Sequence, residues 1–453
     1  MKLNVVILAA GLGKRMQSDL PKVLHKLAGR PLLAHVIDTA RALAPAKIIV
    51  VTGYKAEQVQ KELAAPDVVF VNQLQQLGTG HAVQQALPEL IPGGKTLVLL
   101  GDVPMIHPNT LKPLVDAVTD CVTMLTAQLK DPSGYGRVVR DAGKKVKCVV
   151  EHNDATPEQL KLGEINTGIF CYPTAHLMNW LIRLNNDNAA KEYYITDLLP
   201  MAIQQQIPVE GILCADAAQT EGINTRKQLA GMERVYQRCL AEQFLDRGVD
   251  IADPARFDVR GDLRCGRDVA IDVGCIFEGC VNLGDGVRIN AYCVLSNVDI
   301  GNGTVIGTFS HLLQATVGAN CRIGPYARLR PGAALAEDVH IGNFVEVKAS
   351  DIGGGSKANH LAYIGDTSVG RRVNIGAGTI TCNYDGVNKY RTVIEDDVFI
   401  GSDTQLVAPV TIRRGATIGA GATVTKEAPA GQLTLSRAKQ VSFPEWKRPE
   451  KKR

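Results

Sequence analysis

Two groups of residues in this 453-residue chain have types and spacings suited to chemistry. Near the start, the apolar run Asn4-Val-Val-Ile-Leu-Ala-Ala feeds straight into Gly11-Leu-Gly-Lys-Arg-Met. Gly11 and Gly13 expose backbone N–H groups, and Lys14 and Arg15 add positive charge, which suits a phosphate. The loop lacks the third glycine of a dinucleotide fingerprint and the Gly-Lys-Ser/Thr of a P-loop. Taken alone it reads as an anion cradle or as a plain tight turn. The second group lies far downstream. Arg330 stands in Leu-Arg-Pro-Gly, Lys348 in Glu-Val-Lys, and His360 and Tyr363 in Ser-Lys-Ala-Asn-His-Leu-Ala-Tyr-Ile-Gly-Asp. An unperturbed imidazole titrates near neutrality, so a histidine set among cations is a candidate base. Without its neighbours, His360 reads more simply as an ordinary loop histidine.

The second group rides on a strong repeat. From about Cys265 to Thr425, large or branched apolar residues return every sixth position, as in Ile271, Phe277, Leu283, Ile289 and Leu295. One-residue slips restart the register at Ile300, Val317, Ile352 and Val369, and a last run spans Ile394 to Val424. Period six fits neither a helix nor a lone strand. It fits short strands wound into a coil that turns at small residues, a parallel β-helix. Between Thr381 and Ile394 the rhythm breaks, and this segment is expected to be a loop thrown out of the coil, more apt to contact a ligand or neighbour than to stabilise it. In the first half, apolar strands (Lys47–Thr52, Val68–Asn72, Thr96–Leu100, Val122–Gln128) alternate with helical patterns such as Leu33–Leu43. That alternation predicts an α/β domain with a largely parallel sheet, whose ligands sit at the carboxyl ends of the strands. Between the halves, Leu229, Met232, Tyr236, Leu240 and Phe244 recur at helical spacing before Gly248, which predicts an amphipathic linker helix.

Composition narrows the classes. A net charge of +4 is too mild to argue for nucleic acid. Part of the excess lies in the tail residues Lys447, Arg448, Lys451, Lys452 and Arg453. Eleven cysteines with no C-x-x-C point to reduced thiols rather than a disulfide framework or zinc site. No apolar stretch approaches membrane-spanning length and the start does not read as a signal peptide, so a cytoplasmic location is expected.

Further motifs give the loop its context. Leu20-Pro-Lys-Val-Leu-His follows it, and then come Gln73-x-x-x-x-Gly-Thr-Gly-His-Ala, Gly101-Asp-Val-Pro, Gly134-Tyr-Gly-Arg, Val150-Glu-His, Glu164-Ile-Asn-Thr-Gly and Glu221-Gly-Ile-Asn. With the repeats, this series resembles the bifunctional N-acetylglucosamine-1-phosphate uridyltransferase/glucosamine-1-phosphate acetyltransferases over nearly the whole chain. The resemblance implies a Rossmann-like nucleotidyltransferase domain over residues 1–226 and a linker helix over 227–248. It further implies a left-handed β-helix acetyltransferase domain with a basic tail over 249–453, the tail helping to complete the acetyl-CoA site. The handedness comes from the resemblance, since the crossover rule alone favours right-handed connections.

The same resemblance implies two reactions, acetyl transfer from acetyl-CoA to glucosamine-1-phosphate and then uridylyl transfer from UTP to N-acetylglucosamine-1-phosphate. It places Asp102 and Asn224 on Mg²⁺, with Arg15 and Lys22 as catalytic cations on the phosphates. Gln73, Gly78 and Thr79 would read the uracil, the backbone of Leu8, Ala9, Ala10 and Gly11 and the pair Gly101–Asp102 would meet the nucleotide, and Gly136, Glu151 and Asn166 would hold the sugar. In the second half it makes His360 the catalytic base. Arg330 and Lys348 would bind the sugar phosphate, with Tyr363, Asn374 and Asn383 around the amino sugar. Asn383 would also border the coenzyme A site formed by Ala377, Tyr384, Ser402, Ala420 and Arg437. A homotrimer that shares acetyl sites, and no nucleic-acid or membrane partner, complete the expectation. The glycine loop departs from the family's Gly-x-Gly-Thr-Arg-Met by carrying Leu12 and Lys14, which removes a threonine hydroxyl and adds a cation. Two other readings start from the same residues: a uridyltransferase whose β-helix only assembles it, and a non-catalytic nucleotide-sugar scaffold.

Overall fold

The computed structural model describes residues 2–188, 190–449 and 451, and the chain divides into compact units of residues 1–236 and 237–453. In the first unit the sheet runs β9-β5-β8-β4-β1-β2-β3. Its strands are β1 (Leu3–Ala9), β2 (Lys47–Thr52), β3 (Val68–Asn72), β4 (Lys95–Leu100), β5 (Val122–Gln128), β8 (Glu164–Pro173) and β9 (Val209–Leu213). β4, β1, β2 and β3 are mutually parallel, and β8 alone reverses direction between β4 and β5. The parallel strands are near-continuous apolar runs because both faces are covered, with Val5, Val6, Ile7, Leu97, Val98 and Leu99 fully buried. A short ribbon of β6 (Arg137–Arg140) and β7 (Val146–Val150) is attached through β6 to β8. Helix α1 (Leu32–Arg41) buries Leu33, Val36, Ile37 and Ala40, a spacing of three and four that gives one apolar face.

A long helix, α3 (Arg226–Asp246), follows the first sheet, and the division into units falls within it. Its start is fixed by reciprocal bonds: Gln228 N donates to Thr225 Oγ1 at 3.1 Å, and the Gln228 side chain accepts from Asn224 N at 2.9 Å. A seven-residue helix, α2 (Thr79–Gln85), lies earlier in the chain.

The second unit is a left-handed parallel β-helix. Its short strands stack into an 11-stranded sheet and a 16-stranded sheet, and every pairing between successive coils is parallel. All the period-six residues, from Ile271 through Leu329 and Ile364 to Val424, are buried in one continuous core. Each such isoleucine or leucine contributes roughly 1.5–3 kcal/mol of burial, which is what holds a coil whose strands are only two or three residues long. The outward corner after each turn takes a left-handed backbone, and four successive coils put aromatic rings there. Tyr292, Phe309, Tyr326 and Phe344 stack at 5.4, 5.1 and 5.3 Å, and Leu361, the neighbour of His360, occupies the next corner. The expected loop is present: its backbone leaves the coil after Cys382, closes through a Tyr384–Lys389 bridge and returns at Thr392.

None of the eleven cysteines is joined in a disulfide. Among the described residues, no helix is long and apolar enough to cross a membrane. In the tail, Lys447, Arg448 and Lys451 are exposed, while Lys452 and Arg453 lie outside the described residues.

Candidate active sites in two units

In the first unit the carboxyl ends of β1, β3 and β4 deliver Ala10–Gly11, Gln73 and Asp102 to one cleft of about 300 Å³. Leu8, Ala9, Lys22, Gly78 and Thr79 also line it. Gln73 is buried, and its amide nitrogen bonds Gly78 O at 3.1 Å and His81 Nδ1 at 2.9 Å. Gly78 has φ +108° and lies so close to Tyr193 that a Cβ would come within 2.6 Å of its carbonyl oxygen. Thr79 Oγ1 accepts the Ile195 N–H at 3.2 Å, which ties the floor of the cleft to the next subsite.

Lys22 is held on a short 3-10 turn after Pro21, with Val23 and Leu24 buried beneath it. Gly13, at φ +61°, lets the glycine loop pass: a Cβ there would sit 2.8 Å from Lys22 Cβ. The Lys22 ammonium bonds the Asp102 carboxylate and also Asn224 Oδ1 at 3.1 Å. Asn224 reaches this point because Ile223 N donates to Asp102 O at 3.0 Å. One carboxylate oxygen and one amide oxygen therefore converge on a single positive charge. This is a donor set that a hard divalent cation accepts, with the ammonium standing where the cation would be. Among the described residues no group of three or more His, Cys, Asp or Glu has a metal-holding arrangement, so any cation here would complete its shell with phosphate and water oxygens.

Beside the cleft, Asn166 N donates to Gly136 O at 2.9 Å, and a Cβ on Gly136 would meet Glu151 Oε2 at 3.2 Å. Gly136, Glu151 and Asn166 thus lie together. Burial pushes the Glu151 carboxyl above its ordinary range; the Thr196 hydroxyl, 3.4 Å away, works against this, and Asp154 and Asp197 add to it. Burial raises the nearby Tyr135 phenol above its ordinary value, and the charges of Glu221 and Asp102 raise it further. Gly101 is buried under Leu8 O and supports the cleft from below. Arg15 is exposed on its turn and is not among the residues that line the cleft. Lys14 and Leu12 are likewise exposed.

In the second unit the expected residues form two groups. One gathers round two carboxylates: Arg330 Nη1 bonds Glu346 Oε1 at 2.8 Å, Lys348 Nζ bonds Asp366 Oδ2 at 3.2 Å, and Asn383 bonds that same Asp366 oxygen. The Tyr363 hydroxyl lies against Gly365, the partner of Lys348 in the parallel register. Desolvation, the largest single influence, lowers the Lys348 ammonium, but the bond to Asp366, the Lys389 side chain and the charges of Asp366 and Tyr363 together reverse it and the net shift is upward.

The other group is a column at one corner of the coil. His360 stacks on Asn343 of the coil below, and its Nδ1 meets Asn343 Oδ1 at 2.9 Å. Above it the column continues through Ala377, Ser402 and Ala420, tied by Asp403 N to Ala377 O at 2.7 Å and Gly421 N to Ser402 O at 2.8 Å. Arg437 lies against the glycines flanking Ala420, its side chain 3.6 Å from the Cβ position of Gly419. Asn374 sits between Lys357 and Phe399 in the same sheet as His360, and Tyr384 is exposed on the outer loop.

Residues that motif reading left without a role also belong here. Gln76 and Glu192 line the cleft of the first unit, the Thr196 hydroxyl bonds Glu151, and Asn343, Glu346 and Asp366 hold the imidazole and the two cations of the second unit. For the three coil residues the signal is a spacing of about one coil, 16 to 18 residues, which the period itself supplies.

Comparison with known proteins agrees with this layout. Residues 5–155 match the MobA-like NTP transferase domain, residues 259–353 the GMPPB C-terminal domain, and residues 391–426 the bacterial transferase hexapeptide (six repeats). The chain is 61% identical over 451 residues to the bifunctional protein GlmU of Cupriavidus pinatubonensis, covering 99% of both chains. It is 59% identical to that of Ralstonia nicotianae, over 100% of this chain and 99% of the relative, and 56% identical to that of Chromobacterium violaceum, over 99% of each.

Proposed function

We infer the activity from one premise: the chain belongs to the GlmU family of bifunctional proteins. It makes UDP-N-acetylglucosamine by acetylating glucosamine-1-phosphate with acetyl-CoA and then transferring a uridylyl group from UTP. The observation that carries the assignment of sites is that each compact unit holds its own constellation, Lys22–Asp102–Asn224 in one and Asn343–His360 in the other.

For uridylyl transfer the attacking phosphate oxygen is already anionic. The site therefore needs alignment and charge neutralisation rather than a base. Gln73, Gly78 and Thr79 orient the uracil, the Leu8–Gly11 backbone approaches the nucleotide, and Gly136, Glu151 and Asn166 hold the sugar. Lys22 offsets charge as the new P–O bond forms and pyrophosphate leaves. Asp102 and Asn224 would hold Mg²⁺, which supplies Lewis-acid neutralisation of the phosphates when bound.

For acetyl transfer, Asn343 accepts the Nδ1 proton of His360, leaving Nε2 free to take the proton of the attacking amine. The amine nitrogen bonds the thioester carbonyl carbon, the C–S bond breaks, and the departing thiolate takes the proton from Nε2, so that coenzyme A leaves as the thiol. Arg330 and Lys348 hold the sugar phosphate, Tyr363, Asn374 and Asn383 surround the amino sugar, and the Ala377–Ser402–Ala420 column with Tyr384 and Arg437 receives coenzyme A. Within one chain these residues fall into two groups, which supports a homotrimer whose acetyl sites are completed between copies. The protein acts in the cytoplasm on soluble substrates, supplying amino-sugar nucleotide for cell-wall polymers.

The test uses two variants. Asp102→Ala is expected to abolish pyrophosphate release from UTP and N-acetylglucosamine-1-phosphate while thiol release from acetyl-CoA continues, and His360→Ala to do the reverse. Loss of both activities from either folded variant would contradict independent sites.

A further inference from the structure

The contact between Lys22 and the two oxygens of Asp102 and Asn224 carries a consequence for the order of binding. We propose that Lys22 is a placeholder cation. In the nucleotide-free protein its ammonium occupies the position of the divalent ion, and the phosphates of the incoming nucleotide draw it away, so that metal and nucleotide bind cooperatively. This rests on the reading that Asp102 and Asn224 are the metal's protein ligands.

Three observations support it. First, the ammonium bonds both oxygens at once, and two cations cannot share one point between them. Second, the pair is enclosed rather than solvated, with side-chain exposures of 14% for Lys22 and 16% for Asp102, so the contact is not a screened surface ion pair. Third, only the side chain has freedom to move. The backbone is pinned by Leu24 N to Pro21 O at 2.9 Å and His25 N to Lys22 O at 3.2 Å, while Gly13 packs directly against Lys22 Cβ. Lys22 also lines the cleft with Ala10 and Gly11, where the phosphates would lie. Rotation about its own bonds therefore suffices to carry the charge from the carboxylate to a phosphate. By linkage, whatever the nucleotide gains in displacing Lys22 appears equally as tighter metal binding.

The experiment titrates Mn²⁺ into the full-length protein without nucleotide, following the free-ion signal by electron paramagnetic resonance. Thermal unfolding of each variant checks that it is folded. Lys22→Met is expected to tighten Mn²⁺ binding at this site by about tenfold, within the usual 5–150-fold range of coupling between sites. Lys14→Met removes a nearby positive charge that does not touch Asp102 and is expected to leave the affinity within about twofold, since exposed charges are largely screened. Adding Asp102→Asn to Lys22→Met is expected to remove the gain. Unchanged affinity in Lys22→Met, or an equal gain in Lys14→Met, overturns the placeholder and leaves the metal-ligand assignment standing. A gain that survives Asp102→Asn overturns the metal-ligand assignment itself, and the placeholder with it.

Discussion

Replacing Asn343 with leucine keeps the bulk of the side chain but deletes the oxygen that lies 2.9 Å from His360 Nδ1. His360 is exposed, so water can replace part of the lost bond. One neutral hydrogen bond is worth about 0.5–1.5 kcal/mol net, which corresponds to a loss of roughly 2–13-fold in rate. Removing the imidazole itself should cost far more, about 10²–10⁴-fold for a lost general base. The assay is thiol release from acetyl-CoA at saturating glucosamine-1-phosphate. A positioning residue lowers kcat with little change in KM, and Asn343→Asp, which retains an acceptor oxygen, should recover most of the loss. A kcat unchanged in Asn343→Leu, or an effect confined to KM, would refute the claim that Asn343 sets the imidazole. A loss as large as that of His360→Ala would refute the division between base and positioning residue.

Other outcomes follow from named contacts. Gly13→Ala forces a left-handed backbone at about 1–2 kcal/mol and drives a methyl into Lys22 Cβ. At about 2–4 °C per kcal/mol the backbone term alone lowers the first unit's unfolding midpoint by roughly 2–8 °C, and uridylyl transfer should fall while acetyl transfer holds. Because burial first, and then Asp154 and Asp197, raise the Glu151 carboxyl, KM for N-acetylglucosamine-1-phosphate should rise on acidification from above the ordinary carboxylate range. Glu151→Gln should flatten that limb of the KM–pH profile. The stability contribution of the same group has the opposite sense: it is full at low pH and is lost as pH rises through the elevated value. Leu329→Ala, in the fully buried core of the coil, should cost about 2–5 kcal/mol, read by denaturant unfolding of the second unit.

Much of this architecture was legible in the sequence because its two halves obey different periods. In the coil one residue in six must face inward, so the register from Ile271 to Val424 marked the core, and its break after Thr381 marked the outer loop. The first-half strands appeared at Lys47–Thr52, Val68–Asn72 and Val122–Gln128 as read; the first and third are largely apolar because both faces are buried, while Val68–Asn72 is a half-buried edge strand. The linker helix spans Arg226–Asp246, within the run that ends at Gly248. What the sequence hid is contact at a distance. Asn343 touches His360, and Lys348 touches Asp366, only because one turn of the coil brings residues 17 or 18 apart side by side. Lys22 meets Asp102 and Asn224 across 80 and 202 residues, and no local pattern encodes that convergence. Arg15 shows the converse: its place in the motif implied the phosphate, yet its side chain stands exposed outside the cleft.

The most direct test of two independent sites is a mixing experiment. Glucosamine-1-phosphate, acetyl-CoA, UTP and Mg²⁺ are supplied to Asp102→Ala protein, to His360→Ala protein, and to an equal mixture of the two, and UDP-N-acetylglucosamine is measured. Each variant alone should yield no nucleotide sugar, and the mixture should produce it, because acetylated intermediate released by the first is consumed by the second. A mixture as inactive as its components, each folded, would contradict the account.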